Sequence, residues 1–255
     1  MSDVEDSGDD ELWGRTERRE FSYAVAIPGV TDKISLTAVQ DRDVCAGTPT
    51  FPSHGHCVWD AALLLADYLQ TKAQQPTGDG RFTIRGKKVV ELGAGVGLVG
   101  MMLAVLGAQV TLTDQEYALP LLSKNVAINF VGDGKAANIA ASVPAVEECQ
   151  WGEPFQAGGI LTSWKKNTDV VVFSDVLYHA SAFLLLIKTL HELVSPTTHV
   201  YFSFETRNAT IEANFLQELG KTFVVEEVSR KENNQVYANF EYPDELFIYY
   251  AHLEG

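Results

Sequence analysis

The chain has 255 residues, of which 46% are hydrophobic, and its 34 acidic and 19 basic side chains give a net charge of −15. This length and apolar content predict a packed globular domain and exclude a largely disordered chain. The acidic balance argues against a surface that binds nucleic-acid phosphates or anionic lipids, so we expect neither nucleic acid nor a membrane as a partner.

The amino-terminal end is predicted to consist of an acidic tail and a β-hairpin. Residues 1–17 carry most of their charge as Asp and Glu, and we expect them to form a flexible, solvated tail. The folded domain is therefore predicted to span residues 18–255. Two strand-like segments open it at residues 21–27 and 33–39, and Pro28-Gly29 between them is typical of a turn.

The rest of the chain alternates helical and strand-like segments. Residues 58–70 are rich in Ala and Leu at helical spacing and predict a helix. Strands are then predicted at 88–92, 109–113, 169–173 and 200–204, and helices at 98–106, 118–130, 182–194 and 211–219. Segments 223–228 and 246–251 suit a closing antiparallel pair. This alternation predicts a doubly wound α/β sheet in a single domain.

A glycine-rich turn at residues 89–100 lies between a predicted strand and a predicted helix. Its glycines permit a tight turn and close approach of the backbone to a ligand. The spacing Gly95-x-Gly97-x-x-Gly100 matches the dinucleotide fingerprint, and Asp114 follows at the distance of a ribose-binding acid. A nicotinamide-dependent oxidoreductase is therefore one candidate.

The same turn has a second register. It reads Glu91-x-Gly93-x-Gly95-x-Gly97, which resembles the first motif of the methyltransferases that use S-adenosylmethionine. Asp114 resembles the second acid of that class, which holds the ribose hydroxyls of the cofactor. We favour this register because the dinucleotide register leaves Glu91 and Gly93 inside the strand. A buried carboxylate there costs several kcal/mol unless it is paired.

Four further segments resemble one branch of these enzymes, the methyltransferase-like protein-lysine methyltransferases of family 16. In chain order they are the stretch from Gly55 to Ala62 with Val-Trp-Asp-Ala-Ala at its end, Trp151-Gly152, Asp175-x-x-Tyr178 and Glu205-x-Arg207. The resemblance covers roughly residues 20–252. It implies a seven-stranded Rossmann-like sheet extended by the amino-terminal hairpin. It also implies S-adenosylmethionine as the cofactor and a protein substrate that presents a lysine, with translation elongation factors and chaperones as candidates.

The resemblance also implies a role for each matched residue. The cofactor would be bound by Trp59, Glu91, Gly93, Ala94, Gly95, Asp114, Trp151 and Ser174. Within that set, Trp59 would lie against the methionine end and Trp151 near the adenine. Asp175 and Tyr178 would be the catalytic residues, which receive the lysine at the mouth of the site. Because a carboxylate favours the charged ammonium, the implied role of Asp175 is to bind and orient the lysine rather than to deprotonate it.

Some features lie outside the resemblance. The stretch 155–168 is long for the family, and we expect it near the active face, where it would influence substrate choice. His54, His56 and Cys57 lie close together but lack a fourth ligand, so no metal site is expected.

The location, oligomeric state and alternative functions follow from weaker signals. Three widely spaced cysteines, no secretory signal and no long apolar run predict a cytoplasmic or nuclear location. We expect a monomer. A small-molecule or other-side-chain methyltransferase on the same fold, and a catalytically silent binding module, remain alternatives.

Overall fold

The computed structural model of the chain describes residues 18–41, 55–75, 83–177 and 180–254. Its first element is the predicted hairpin, in which β1 (Glu20–Val25) pairs antiparallel with β2 (Ile34–Val39). The acidic tail, His54 and the proposed catalytic Tyr178 lie outside the described residues.

A seven-stranded sheet forms the centre of the domain. Its strands are β3 (Lys88–Leu92), β4 (Gln109–Asp114), β5 (Ala145–Glu148), β6 (Val170–Ser174), β7 (His199–Glu205), β8 (Phe223–Glu227) and β9 (Leu246–Leu253). They lie in the order β5-β4-β3-β6-β7-β9-β8, and β9 runs antiparallel to both of its neighbours. The other neighbouring pairs are parallel. The predicted seven-stranded sheet with its closing antiparallel pair is confirmed, whereas the short edge strand β5 was missed.

Helices cover both faces of the sheet. They are α1 (Asp60–Gln74), α2 (Leu98–Val105), α3 (Leu119–Phe130), α4 (Ile160–Trp164), α5 (Phe183–Leu193), α6 (Ala209–Leu219) and α7 (Asn234–Tyr237). The first three pack with the hairpin in one apolar core, and α4, α5 and α6 pack in a second core on the opposite face. Helix α2 lies between the sheet on one side and α1 with the hairpin on the other, so each of its residues is buried and the helix is apolar all round. None of the helices in the described ranges is long and apolar enough to cross a bilayer.

Two asparagines of α3 dock the hairpin onto the domain. The Asn125 amide accepts a hydrogen bond from the Val39 N–H at 2.8 Å and donates to the Val39 carbonyl at 3.1 Å. Asn129 makes the same pair of bonds with the backbone of Thr37, at 2.8 and 2.7 Å. The two side chains thus satisfy the edge of β2 as a neighbouring strand would. Asn125 also donates to the Val96 carbonyl at 3.1 Å, which joins the hairpin to the glycine-rich turn.

Candidate active site

A cavity of about 290 Å³ lies where the carboxyl ends of the parallel strands meet. This volume is near the lower end of the range for small-molecule sites, about 300–1,000 Å³, and the position is the usual one for ligands of open α/β sheets. The predicted site residues that line it are Trp59, Glu91, Gly93, Ala94, Gly95, Asp114, Trp151, Ser174 and Asp175. The structure therefore brings together every predicted site residue that it describes.

The floor of the cavity is the glycine-rich turn between β3 and α2. Gly93 and Gly97 have φ angles of 66° and 83°, in the left-handed region that favours glycine. A Cβ atom at Gly93 would lie 2.9 Å from the Val176 side chain, and one at Gly97 would lie 2.6 Å from Leu122. A side chain at Gly93 would displace Val176 in the cavity wall and one at Gly97 would displace Leu122 in the core, so the turn requires glycine at both positions.

Asp114, the last residue of β4, presents a carboxylate to this turn. Its Oδ2 accepts a hydrogen bond from the Gly95 N–H at 2.8 Å, and its Oδ1 accepts one from the Gln115 N–H at 2.7 Å. Burial raises the pKa of Asp114, while these two backbone bonds oppose the increase. A carboxylate has about four acceptor positions. About two therefore remain in a group that lines the cavity, and this suits the paired hydroxyls of a ribose.

Glu91 is buried inside β3, and its Oε2 accepts a hydrogen bond from the Gly100 N–H of α2 at 2.8 Å. Burial is the main cause that raises the pKa of Glu91 to about 8. The hydrogen bond from Gly100 lowers this pKa, and the charge of Asp114 raises it. We expected Glu91 to lie inside the strand only in the dinucleotide register. That expectation was wrong, because the hydrogen bond gives the buried carboxyl group the partner that it needs.

The position of Glu91 nevertheless argues against a dinucleotide. In dinucleotide-binding folds the pyrophosphate lies on the amino-terminal N–H groups of the helix that follows the glycine turn. Here the side chain of Glu91 already accepts a hydrogen bond from the Gly100 N–H of that helix. One N–H group of the first turn of α2 is thus engaged by the protein's own carboxyl group.

Two indole side chains line the cavity, Trp59 just before α1 and Trp151 just after β5. The segment before Trp59 is tied to the hairpin, because the Val58 N–H donates to the Gln40 side chain at 2.8 Å. A Cβ at Gly93 would lie 3.3 Å from the Trp151 ring, so this indole lies directly against the glycine turn.

Asp175 follows β6 in a left-handed conformation, with φ of 54°, and its side chain is 4% exposed. Both carboxylate oxygens accept hydrogen bonds from Arg207, each at 2.8 Å. The Arg207 Nη2 also donates to Glu205 at 2.9 Å. The resemblance implies that the Asp175 carboxylate holds the substrate lysine. In the structure, this carboxylate is already hydrogen-bonded to an arginine. The sequence motif contained Arg207 but gave no sign of its partner.

Several residues that line the cavity were not predicted. They include Gln115, Tyr117, Cys149, Gln150, Leu185 and Arg207. Burial raises the pKa of the Cys149 thiol to about 12, with further contributions from Asp114, Glu147 and Glu148. Within the described ranges, no group of three or more His, Cys, Asp or Glu residues is placed to hold a metal ion.

The stretch 155–168 does not line the cavity, although it begins beside the carboxyl end of β5. It contains α4, whose first N–H groups donate to the Glu147 carboxylate at 2.7 and 2.8 Å. The Lys88 ammonium lies 5.8 Å from the centre of the Trp164 ring. Because Lys88 begins β3, the end of the stretch lies at the edge of the sheet opposite the cavity.

Comparison with known proteins assigns the family. A sequence profile described as lysine methyltransferase matches residues 41–222. The chain belongs to the lysine methyltransferase family. Protein N-lysine methyltransferase METTL21A of Danio rerio is 38% identical over 175 residues, which cover 67% of this chain and 69% of the relative. EEF1A lysine methyltransferase 3 of Xenopus tropicalis is 32% identical over 180 residues, which cover 70% of each chain.

Solved structures of methyltransferases share the fold of this family member. A predicted O-methyltransferase from Agrobacterium tumefaciens matches with a TM-score of 0.51 at 15% identity, over 76% of this chain and 81% of that chain. The T. thermophilus 16S rRNA N2 G1207 methyltransferase, in complex with AdoMet and guanosine, matches with a TM-score of 0.50 at 16% identity, over 93% of this chain and 51% of that chain. The protein is an S-adenosylmethionine-dependent methyltransferase, and the nicotinamide alternative is wrong.

Proposed function

We propose that this enzyme transfers a methyl group to the side-chain nitrogen of a lysine in a protein substrate. The observation that carries the proposal is one cavity that joins two features. The glycine turn with Asp114 forms one part, and the Asp175–Arg207 pair at the ends of β6 and β7 forms the other. The first part suits the cofactor, and the second supplies the polar mouth that a charged side chain needs.

The residues around the turn would hold S-adenosylmethionine. Asp114 has acceptor capacity left for the ribose hydroxyls, and Trp151 offers an indole face for the adenine. The turn of Gly93, Ala94 and Gly95 forms the floor, where the absence of bulky side chains permits close approach. Trp59 and Ser174 line the remaining walls, and Glu91 fixes the turn through the Gly100 N–H.

S-Adenosylmethionine supplies a sulfonium methyl group, which a neutral amine attacks in line so that the N–C bond forms while the C–S bond breaks and a proton passes to solvent. An ordinary lysine has a pKa near 10.4, so about one in 2,500 is neutral at pH 7. The chain's contribution is therefore to orient the lysine and to favour its neutral form. Asp175 and Tyr178 are the proposed residues at the mouth.

The cofactor part of the proposal is tested by calorimetric titration with S-adenosylhomocysteine, with NAD and NADP titrated in parallel. We expect micromolar binding of the thioether and none of the dinucleotides. Asp114→Asn should weaken thioether binding at least tenfold, because an amide replaces one of the two carboxylate oxygens that would accept hydrogen bonds from the ribose hydroxyls. The control Glu116→Gln removes the same charge from an exposed side chain two positions away and should bind normally. Normal binding by Asp114→Asn would remove the ribose role.

The substrate part is tested by incubating the enzyme with radiolabelled cofactor and a cell extract. One relative is named an EEF1A lysine methyltransferase, so purified EEF1A is the first single protein to add. We expect label in a protein band and a methylated lysine in its peptide mass spectrum. Label that is confined to small molecules, or to side chains other than lysine, would refute the lysine assignment and leave the cofactor assignment intact.

We also propose a cytoplasmic or nuclear location, a monomeric state and a folded domain that begins near residue 18. The composition and the predicted tail support these proposals. Microscopy of the tagged protein, sedimentation velocity and limited proteolysis test them in turn. Cleavage that stops near residue 18 would support the domain boundary.

A further inference from the structure

The guanidinium of Arg207 donates two parallel hydrogen bonds to the Asp175 carboxylate. Both nitrogen–oxygen distances are 2.8 Å, and the Asp175 side chain is almost fully buried while that of Arg207 is 44% exposed. Parallel bonds of this kind are among the strongest between side chains, and they fix the orientation of both partners. Asp175 therefore has little free capacity for a second cation.

The backbone around Arg207 is anchored as well. The Glu212 carboxylate of α6 accepts hydrogen bonds from the N–H groups of Arg207 and Asn208, at 2.8 and 2.9 Å, and from the Thr206 hydroxyl at 2.6 Å. The Arg207 guanidinium also lies 5.4 Å from the centre of the Trp59 ring. These contacts hold Arg207 in place, so the arginine is built into the mouth of the cavity.

The charges around this arginine are otherwise negative. Arg207 interacts electrostatically with Asp175 after β6, Glu205 at the end of β7 and Glu212 on α6, and Glu205 interacts in turn with Asp60 at the start of α1 and Glu245 before β9. Among the described residues that line the cavity, Arg207 is the single cation. Its charge therefore decides how negative the mouth is.

We propose that Arg207 is a positioning residue that withholds the Asp175 carboxylate from the substrate ammonium and balances the charge of the mouth, so that the lysine gives up its proton before methyl transfer. This inference rests on the proposed lysine activity. A lysine beside an unpaired carboxylate is stabilised in its charged form, which cannot attack a methyl group. A fixed guanidinium reverses that bias while the buried carboxylate still contributes to the shape of the mouth.

The test compares the pH dependence of kcat, measured with saturating protein substrate, for the wild type, Arg207→Gln and Arg207→Lys, because kcat reports the pKa values of groups in the enzyme–substrate complex. The assay uses the lysine-containing protein labelled in the extract, purified, from about pH 6.5 to about pH 10, which brackets the transition of an activated lysine. Removing the cation that pairs with Asp175 should move the rising limb of Arg207→Gln alkaline by about one to two pH units. Arg207→Lys keeps the charge, so its limb should stay near that of the wild type even where its maximal rate falls.

Two further variants separate charge from folding. In the double variant Arg207→Gln with Asp175→Asn, both partners are neutral. The rising limb of its pH profile should therefore return towards that of the wild type, whereas a loss of structure would not restore it. Lys165→Gln removes one cation from the exposed pair with Glu192 outside the cavity and should leave the profile unchanged. Thermal unfolding and S-adenosylhomocysteine binding show whether each variant is folded.

The outcomes are distinct. An alkaline shift in Arg207→Gln that the double variant reverses supports the inference. An unshifted limb in a folded Arg207→Gln that still methylates lysine overturns it and leaves the proposed function standing. A lower KM without a shift overturns it too, because Arg207 would then compete with the lysine for Asp175. If the wild type methylates no lysine, the proposed function fails and this inference fails with it.

Discussion

The carboxyl group of Glu91 lies inside β3, where burial raises its pKa from 4.5 to about 8. Between these values the folded chain holds a proton that the unfolded chain has lost. Folding then takes up a proton, so this group makes the domain less stable as the pH rises from about 4.5 to about 8. The bond to the Gly100 N–H needs only an acceptor, which either a protonated carboxyl or an amide provides.

We therefore predict that Glu91→Gln removes a pH dependence of stability. In urea unfolding without cofactor, the wild type should lose roughly 2 kcal/mol between pH 6 and pH 8 through this group. The Glu91→Gln variant should lose much less. Glu226→Gln, an exposed glutamate of β8, is the matched control and should behave as the wild type does. Equal pH dependence in the wild type and Glu91→Gln would contradict the prediction.

Gly100 shows how closely α2 packs on the sheet beneath it. A Cβ at this position would lie 2.2 Å from the Leu112 side chain of β4 and 2.6 Å from the Glu91 carboxylate. Gly100→Ala should therefore cost about 1–3 kcal/mol through overpacking, despite the better helix propensity of alanine. Differential scanning calorimetry measures the cost. An unchanged or increased melting temperature would mean that the helix moves away from the sheet freely.

The hairpin is an added element whose contacts reach the cavity. Asn125 is fully buried and bonds to Val39 of the hairpin and to Val96 of the glycine turn. Asn125→Ala leaves three buried backbone groups unpaired and should destabilise the domain by about 2–4 kcal/mol. It should also weaken S-adenosylhomocysteine binding, because the turn loses a support. The exposed Asn214→Ala on α6 is the control. Destabilisation without any loss of binding would restrict the hairpin to a structural role.

The long elements were predictable because their hydrophobic patterns are strong. Strand β3 was predicted with its bounds, and α2 and α3 to within one residue. Strand β5 was missed because Glu147 and Glu148 give it no apolar pattern, although Glu147 has a task in capping α4. The path of residues 155–168 could not be predicted in detail, because an insertion has no pattern that says which edge of the sheet it approaches.

In the candidate site, too, some features could be predicted from the sequence and others could not. Residues at strand ends, such as Asp114 and Asp175, could be predicted to meet because parallel strands share one carboxyl edge. The Asp175–Arg207 pair could not, since it joins side chains 32 positions apart through rotamers that spacing does not determine. The hydrogen bond that permits the burial of Glu91 was hidden for the same reason.

The net charge of −15 acts on the whole molecule. A basic protein substrate should be drawn to such a surface, and salt screens this attraction within about 10 Å at 0.1 M. We predict that kcat/KM for a basic substrate falls about two- to tenfold from low to physiological ionic strength. The affinity for S-adenosylhomocysteine, measured in the same buffers, should change little. A salt-independent kcat/KM would show that contact surfaces rather than long-range charge bring the substrate in.

Cys149 places a sulfur atom in the lining of a cavity built for an alkylating agent. A thiolate there would be a better nucleophile than any amine and would methylate the enzyme itself. With a pKa of about 12, roughly one thiol in 10⁵ is ionised at pH 7, so burial and the surrounding acids keep the sulfur inert. We expect Cys149 to resist iodoacetamide in the folded enzyme and to remain unmethylated after many turnovers, as peptide mass spectrometry can verify. The acids near the cofactor site thus also protect the enzyme from its own reagent.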